Sequence, residues 1–330
     1  TYTIGKEWFN GVVGLIAAFI MAIHPYLIEL SVRGLRAEWF ATLVLLFVYY
    51  SFVKLPLDAR LRTLITGLLI GCMLLTRSES LLMVVICLVV YPLAARTKWN
   101  YKMVFTALLL GITLLIPHQY RMYKNYGDPL YTVNQYTRFY ANREFAGKPG
   151  FPTEEELATK GMYTGGKITP FEYYFSLHTP GQIVQYSTIG FLRIHLTMPL
   201  YFALGKGNLK SMEHALEKLK TNPNFRQLVA SVTGTISILK RNLLDYALAS
   251  LFLVSFVLGV LLIAFSPHRM LLVFMFIFQV QTSFIAYVGI DTRLTVHSYP
   301  FIALCCGYSL GWLGNLLWRN LIRLRKDYVS

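Results

Sequence analysis

The chain alternates long apolar runs with short polar breaks, and one long stretch of mixed polarity interrupts the pattern. A helix needs roughly 17–25 apolar residues to cross a hydrocarbon core of about 30 Å. Eight runs qualify, near residues 8–27, 36–53, 61–77, 79–95, 101–118, 243–265, 270–290 and 299–318. The third and fourth are parted only by Thr76-Arg77-Ser78, which predicts a tight helical hairpin. Three regions follow: five spans over 1–118, a mixed segment over 119–242, and three spans with a basic tail over 243–330. The expected fold class is an all-α polytopic membrane protein with about eight transmembrane helices and a large extracytoplasmic mixed or helical loop domain.

The mixed segment holds one ambiguous piece. Residues 182–204 are apolar enough for a ninth span but carry Arg193 and His195 near their middle. A ninth crossing would also invert every later span, so an interfacial or re-entrant helix is the better reading. Residues 211–222 and 225–241 read as short amphipathic helices leading into the sixth span. Between 119 and 180, Gly, Pro, Tyr and the run Glu154-Glu155-Glu156 predict an irregular domain with a solvated helix start at the acidic run.

Composition agrees with the pattern: 55% of the 330 residues are hydrophobic and only 14% charged. A soluble domain carries about 25% charged residues, so an ordinary soluble enzyme is excluded. The net charge of +15 would suggest nucleic acid in a soluble chain, but its placement explains it otherwise. Twelve basic residues fall in short loops on one side: Lys6, Lys54, Arg60, Arg62, Arg96, Lys98, Lys102, Arg269, Arg319, Arg323, Arg325 and Lys326. Only Arg33, Arg36, Arg77 and Arg293 fall in short loops on the other side. Twelve against four is a positive-inside signal that alternates correctly through all eight spans. Both chain ends are then cytoplasmic, and the loops at 28–37, 77–79, 119–242 and 291–298 extracytoplasmic. Cys72, Cys87, Cys305 and Cys306 lie inside apolar runs and read as small buried hydrophobes.

Each extracytoplasmic loop brings at least one arginine to the end of a span. The first runs from His24-Pro25 through Glu29, Ser31, Arg33 and Arg36 to Glu38; the second is Thr76-Arg77-Ser78-Glu79. The large loop opens with His118, Arg121 and Lys124, and the last carries Asp291, Arg293 and His297 ahead of Tyr299-Pro300. A planar guanidinium with several donors suits a phosphate or pyrophosphate at a membrane surface. For any one of these residues, snorkelling at a helix end is the commoner role. Their concentration on one face is what favours a site. His24 reads as a helix-end residue, and the Tyr-rich stretch Tyr120–Tyr140 as a packed or interfacial surface. No P-loop, dinucleotide fingerprint, zinc motif or serine-nucleophile elbow occurs.

At these residues the chain resembles the integral membrane glycosyltransferases of the GT-C type. The resemblance rests on Pro25…Ser31…Arg33…Arg36-x-Glu38, then Gly67…Gly71…Leu75-Thr76-Arg77-x-Glu79. The branch it suggests is the bacterial one related to protein O-mannosyltransferases and to the lipid A aminoarabinose transferase. Ile116-Pro117-His118-Gln119-Tyr120-Arg121-x3-Asn125-Tyr126-Gly127 is similar to that branch's PW-x-x-RN-x-x-x-G stretch, with His118 in place of Trp and a looser Arg-to-Asn spacing. Arg293-x5-Tyr299-Pro300 is similar to its R-(F/Y)-x-x-P entry into a late span.

The resemblance implies a polyprenyl-phosphate-linked sugar as donor and transfer to an acceptor on the extracytoplasmic face of the bacterial cytoplasmic (inner) membrane. Donor phosphate would be bound by Arg33, Arg36, Arg77, Arg121 and Arg293, with Glu79, Asp291 and His297 also in the binding set. Glu38 matches a supporting acid that sometimes acts through a divalent metal, although the sequence requires no metal. The family's principal catalytic carboxylate lies in a loop after its first span, which is expected upstream of Thr1. A catalytically inactive GT-C-like scaffold or accessory subunit of a larger membrane complex is the rival expectation, decided by the coding sequence before Thr1. A lipid transporter or flippase ranks lowest, because the ionisable residues sit at span ends and no paired broken helices appear in two halves. Expected partners are membrane lipid, the lipid-linked sugar and possible membrane-complex subunits, with no nucleic acid.

Overall fold

The computed structural model describes residues 1–33, 36–53, 56–77, 80–95, 101–129, 131, 137, 139–141, 143–160, 165–169, 171–192, 194–195, 199, 202–203, 243–286 and 296–329. Among them there are helices and turns and no strand. The principal helices are α1 (Tyr2–Trp8), α2 (Gly11–Ile23), α3 (Pro25–Arg33), α4 (Arg36–Phe52), α5 (Ala59–Thr76) and α6 (Ser80–Ala95). They continue with α7 (Tyr101–Thr113), α8 (Ile116–Tyr126), α9 (Glu154–Lys160), α10 (Leu243–Ala264), α11 (Met270–Ala286) and α12 (Tyr299–Val329). The protein is an all-α polytopic membrane protein. Four helical stretches are long and apolar enough to span alone: Ala59–Thr76, Tyr101–Tyr126, Ala247–Ala264 and Val296–Ile322. The bent pair α2–α3 makes a fifth, and the shorter apolar helices Ala37–Phe52, Ser80–Val89 and Met270–Gln279 occupy the other expected spans.

Local chemistry sets the boundaries. Asn10 caps α2 by accepting from the Val13 N–H at 2.9 Å, and Asp58 caps α5 by accepting from the Arg60 N–H at 3.1 Å. Arg62 does more than mark a basic loop. Its guanidinium donates to the carbonyls of Tyr50, Ser51 and Val53 at 2.7–2.9 Å, satisfying acceptors that the end of α4 leaves open. His24 ends α2 with an extended backbone, and Pro25 starts α3 at an angle of 57°.

That bend corrects one expectation. Most of the first loop, expected over 28–37, is helix: α3 runs from Pro25 to Arg33, and α4 resumes at Arg36. An apolar run read as a straight span hides the turn, because Pro at a first helical position begins a new helix as readily as it ends an old one. Through the basic tail α12 continues without a break to Val329.

Small residues bring the helices close, as lipid-exposed bundles require when no hydrophobic gradient drives association. On α5, Gly67 and Gly71 face α7, whose Gly111 would place an added Cβ 2.5 Å from Ile70 Cγ2. α12 runs between α2 and α10. A Cβ on Gly307 would lie 2.9 Å from the Val13 carbonyl oxygen, and Gly259 of α10 lies against the Cys305 backbone. There, Ser309 Oγ donates to the Ser255 carbonyl at 2.7 Å, so a polar side chain is satisfied inside the bundle. Cys87, Cys305 and Cys306 are buried, as expected of small hydrophobes, whereas Cys72 is exposed.

The packing sorts residues into two ends. Phe9 lies against His268 and Tyr308, with ring centroids 4.7 and 4.8 Å apart, and Phe274 meets Trp8 and Phe52. His24, Tyr26, Phe40, Arg77, Phe202, His297 and Tyr299 gather at the other end.

Part of the 119–242 segment forms a small satellite core. Phe139, Phe145 and Tyr173 are buried together, with Phe151, Ile168, Tyr174 and Leu177 around them. α9 begins in a capping box: the Glu156 carboxylate accepts from the Thr153 N–H at 3.0 Å, and Thr153 Oγ1 accepts from the Glu156 N–H at 3.2 Å. That is the solvated helix start read from the acidic run. From residue 180 the chain is helical again, and Phe191 and His195 rest on Phe276 of α11. Phe202 reaches His24 and Tyr299. The described residues Phe191, His195 and Phe202 of this stretch therefore touch the bundle helices. The amphipathic helices expected over 211–222 and 225–241 lie outside the described residues.

Candidate active site

The end that carries His24, Arg77 and His297 is built from the ends of four helices. Arg77 caps α5, its own N–H donating to the Met73 carbonyl at 2.8 Å. Its guanidinium carbon lies 4.9 Å from the centre of the Phe40 ring, a cation–π arrangement that fixes the plane of the charge. Phe40 is fully buried on α4, and its ring meets His297 edge-on at 5.3 Å. His297 sits in the short turn Val296–Ser298 before α12 and is 1% exposed.

Hydrogen bonds fix this histidine's tautomer. A carbonyl oxygen only accepts, so His297 Nε2, 2.8 Å from the Phe278 carbonyl, carries the proton. In the neutral ring Nδ1 is then an acceptor, and it is buried with no hydrogen-bond partner among the described residues. Ser80 Oγ is another buried hydroxyl without one. Beside them, Gln279 Nε2 donates to Ser298 Oγ, tying the turn to α11.

Two further contacts close the end. Ser31 Oγ donates to Glu38 Oε1 at 2.7 Å, linking α3 to α4 across the step between them. His24 Nε2 donates to the Phe202 carbonyl at 2.7 Å while its ring packs on Phe202 and Tyr299, so the α2–α3 bend holds the chain at Phe202. Reading His24 as a helix-end residue is thus right in position, and the structure adds a docking role.

The expected site residues divide into four groups. Arg77, Glu38 and His297 stand at one end of the bundle, with Arg77 and His297 both against the Phe40 ring. Arg33 is the last residue of α3 and Arg36 the first of α4, so both flank the step that Ser31 and Glu38 bridge. Glu79, Asp291 and Arg293 lie outside the described residues. Arg121 is exposed on α8, and no described hydrogen bond or ion pair joins it to the Arg77 group. Among the described residues, no three His, Cys, Asp or Glu side chains converge where they could hold a metal ion.

Sequence reasoning missed Phe40, the ring on which the Arg77 charge is set. It stands two residues after Glu38 in an unbroken apolar run, where nothing separates it from lipid-facing neighbours. The Gln279–Ser298 pair was missed too, although a Gln inside an apolar run is a signal that could have found it. A third group lies in the satellite core: Tyr173 donates its hydroxyl to Glu144 Oε2 at 2.8 Å, and His178 Nε2 stands 3.0 Å from Glu144 Oε1. His178 Nδ1 faces the Tyr173 carbonyl at 2.6 Å. Both ring nitrogens thus face acceptor oxygens. Burial, and after it the Glu144 charge, push the neighbouring Tyr174 hydroxyl above the usual tyrosine range.

The comparisons with known proteins bear on one part of this architecture. Residues 1–120 match the dolichyl-phosphate-mannose-protein mannosyltransferase family. The matched stretch covers α1 to the beginning of α8, so it contains Arg33, Arg36, Glu38 and Arg77 and ends before Arg121 and His297. The match covers residues 1–120 of the 330 and is a similarity to this family of membrane mannosyltransferases. No curated protein sequence and no solved structure matches the chain significantly.

Proposed function

We propose that the protein transfers a sugar from a polyprenyl-phosphate donor to a hydroxyl of an extracytoplasmic acceptor. The observation that carries this reading is the Arg77 guanidinium set on the buried Phe40 ring beside His297, at the end of the bundle where Arg33, Arg36 and Glu38 also stand. The similarity of residues 1–120 to mannosyltransferases of lipid-linked donors supports it.

In this mechanism the acceptor oxygen attacks the anomeric carbon, forming the new glycosidic bond as the bond to the phosphate oxygen breaks. The electron pair leaves with the polyprenyl phosphate, and the hydroxyl proton passes to a carboxylate base. Negative charge grows on the departing phosphate, so a guanidinium fixed beforehand stabilises the transition state more than the ground state. Arg77 performs that task, with Arg33 and Arg36 adding donors from the α3–α4 step. Phe40 holds the plane of Arg77. Glu38, anchored by Ser31, supports the base. His297 Nδ1 accepts a hydrogen bond from a donor hydroxyl. Arg121, Arg293, Glu79 and Asp291 complete the binding set from the adjoining loops.

The reading extends to location: the bacterial cytoplasmic membrane, with this end of the bundle on the extracytoplasmic side. The 119–242 segment then covers the site and meets the acceptor. The direct test reconstitutes the full-length gene product in liposomes with a polyprenyl-phosphate-linked radiolabelled sugar or the matching nucleotide sugar. Transfer from the lipid-linked donor alone, abolished by Arg77→Ala, is the expected result. Transfer from the nucleotide sugar, or undiminished transfer by the variant, would refute the assignment.

A further inference from the structure

Tyr173 is the pivot of the satellite core, and the single wide turn Glu172–Ser176 that carries it has two unlike sides. Tyr173 is 1% exposed, held by Glu144 and stacked on Phe139. On the outer side Phe171 and Phe175 are 70% and 65% exposed, and their rings lie 4.9 Å apart. Two adjacent exposed phenylalanines on an ordered turn require an apolar neighbour.

Contacts on both sides of this turn show where it lies. Before it, Lys167 Nζ lies 5.0 Å from the Tyr131 ring and 5.8 Å from the Tyr126 ring, and those rings stack at 4.2 Å. Tyr126 ends the apolar stretch Tyr101–Tyr126, and Tyr120 and Tyr123 are exposed just before it. Tyrosines at the end of a span mark the water–lipid boundary. After the turn, helical residues 180–192 expose Val184, Ile189 and Leu192, while Phe191 and His195 lie on Phe276 of α11. The turn is therefore pinned at the boundary on one side and leads into the bundle on the other.

We infer that Phe171 and Phe175 insert into the lipid leaflet beside the 127–195 segment and dock the satellite core on the bilayer surface. The occupant is lipid because the turn lies between Tyr126, at the end of an apolar span, and a helix that exposes Val184, Ile189 and Leu192 and then rests on α11. Glu172 lies between the two rings in sequence, but its carboxylate already accepts from the Thr169 N–H at 2.9 Å and from Thr169 Oγ1 at 2.8 Å. Those bonds satisfy the charge at the rim of an apolar contact. Lys167, on the tyrosine side, is placed to meet lipid phosphate.

The test uses the full chain in phosphatidylcholine nanodiscs, with Cys72→Ser removing the exposed native thiol. Phe171→Cys and Phe175→Cys are each labelled with a nitroxide, and Glu155→Cys in the solvated α9 serves as reference. Relaxation by oxygen, which concentrates in lipid, is compared with relaxation by a water-soluble nickel chelate. Labels at 171 and 175 should favour oxygen severalfold over the label at 155. A chelate preference equal to that at 155 would place the turn in water. Low access to both reagents would put protein there, a second copy or another partner. Either result overturns the inference.

Discussion

Gly259→Ala tests the helix packing that places His297 and Tyr299. An added Cβ would stand 2.6 Å from the Cys305 carbonyl carbon and 3.1 Å from its Cα, so the obstacle is backbone and no side chain can turn away. Ordinary carbon contacts lie near 3.5 Å, so α10 and α12 would have to part by roughly 1 Å. Overpacking of this kind costs about 1–3 kcal/mol. Parting the helices also weakens the Ser309–Ser255 hydrogen bond, worth about 1 kcal/mol. Against this stands the better helix propensity of alanine, about 1 kcal/mol. The net loss is about 1–3 kcal/mol. Gly314→Ala, further along α12, meets no atom within 4 Å and leaves only the propensity gain. Unfolding in a graded series of detergent mixtures, followed by circular dichroism, should move the two variants in opposite directions. A Gly259→Ala protein as stable as Gly314→Ala would refute the close packing of α10 on α12.

Other consequences are as concrete. Phe40→Leu keeps an apolar side chain but removes the face under Arg77, a loss of about 0.5–1 kcal/mol that should weaken polyprenyl-phosphate binding about two- to fivefold by equilibrium titration. His178→Phe leaves Glu144 without its ring partner and should destabilise the satellite core by about 1–3 kcal/mol, read as faster limited proteolysis within 127–180 while the bundle stays resistant. Hydrogen bonds from the Thr169 N–H and hydroxyl hold the Glu172 carboxyl below the usual glutamate range. The stabilisation is therefore present at neutral pH and disappears as pH falls through the lowered folded-state value. Proteolytic resistance of the 165–178 turn should decline on acidification, and Glu172→Gln should flatten that acid limb.

Spans are legible in a sequence wherever composition alone decides the outcome, which is why the apolar runs match the helices of the bundle. The α2–α3 bend was not legible, because Pro25 inside an apolar run is compatible with a span that continues and with one that turns. Nor could composition say whether residues 182–204 lie on the bundle or enter it; that depends on a distant partner, Phe276. The arginines at helix ends were found from charge placement, and the structure sets Arg77 against the Phe40 ring at the end of α5. What organises it was hidden. Phe40 is one apolar residue among many, and only the fold brings its ring against both Arg77 and His297. Arg62 shows the opposite limit, since a residue counted as a topology signal also caps α4.

The central claim is that Arg77 binds the phosphate of a polyprenyl-linked donor. Equilibrium binding of a polyprenyl phosphate to the protein in nanodiscs, compared with Arg77→Lys and Arg77→Ala, tests it most directly. A charge-assisted hydrogen bond contributes about 1.5–3 kcal/mol, so Arg77→Ala should weaken binding roughly 10- to 100-fold. Arg77→Lys, which keeps the charge and loses the planar fork, should fall between. Equal affinity for all three proteins would contradict the account and leave Arg77 with a purely structural place at the end of α5.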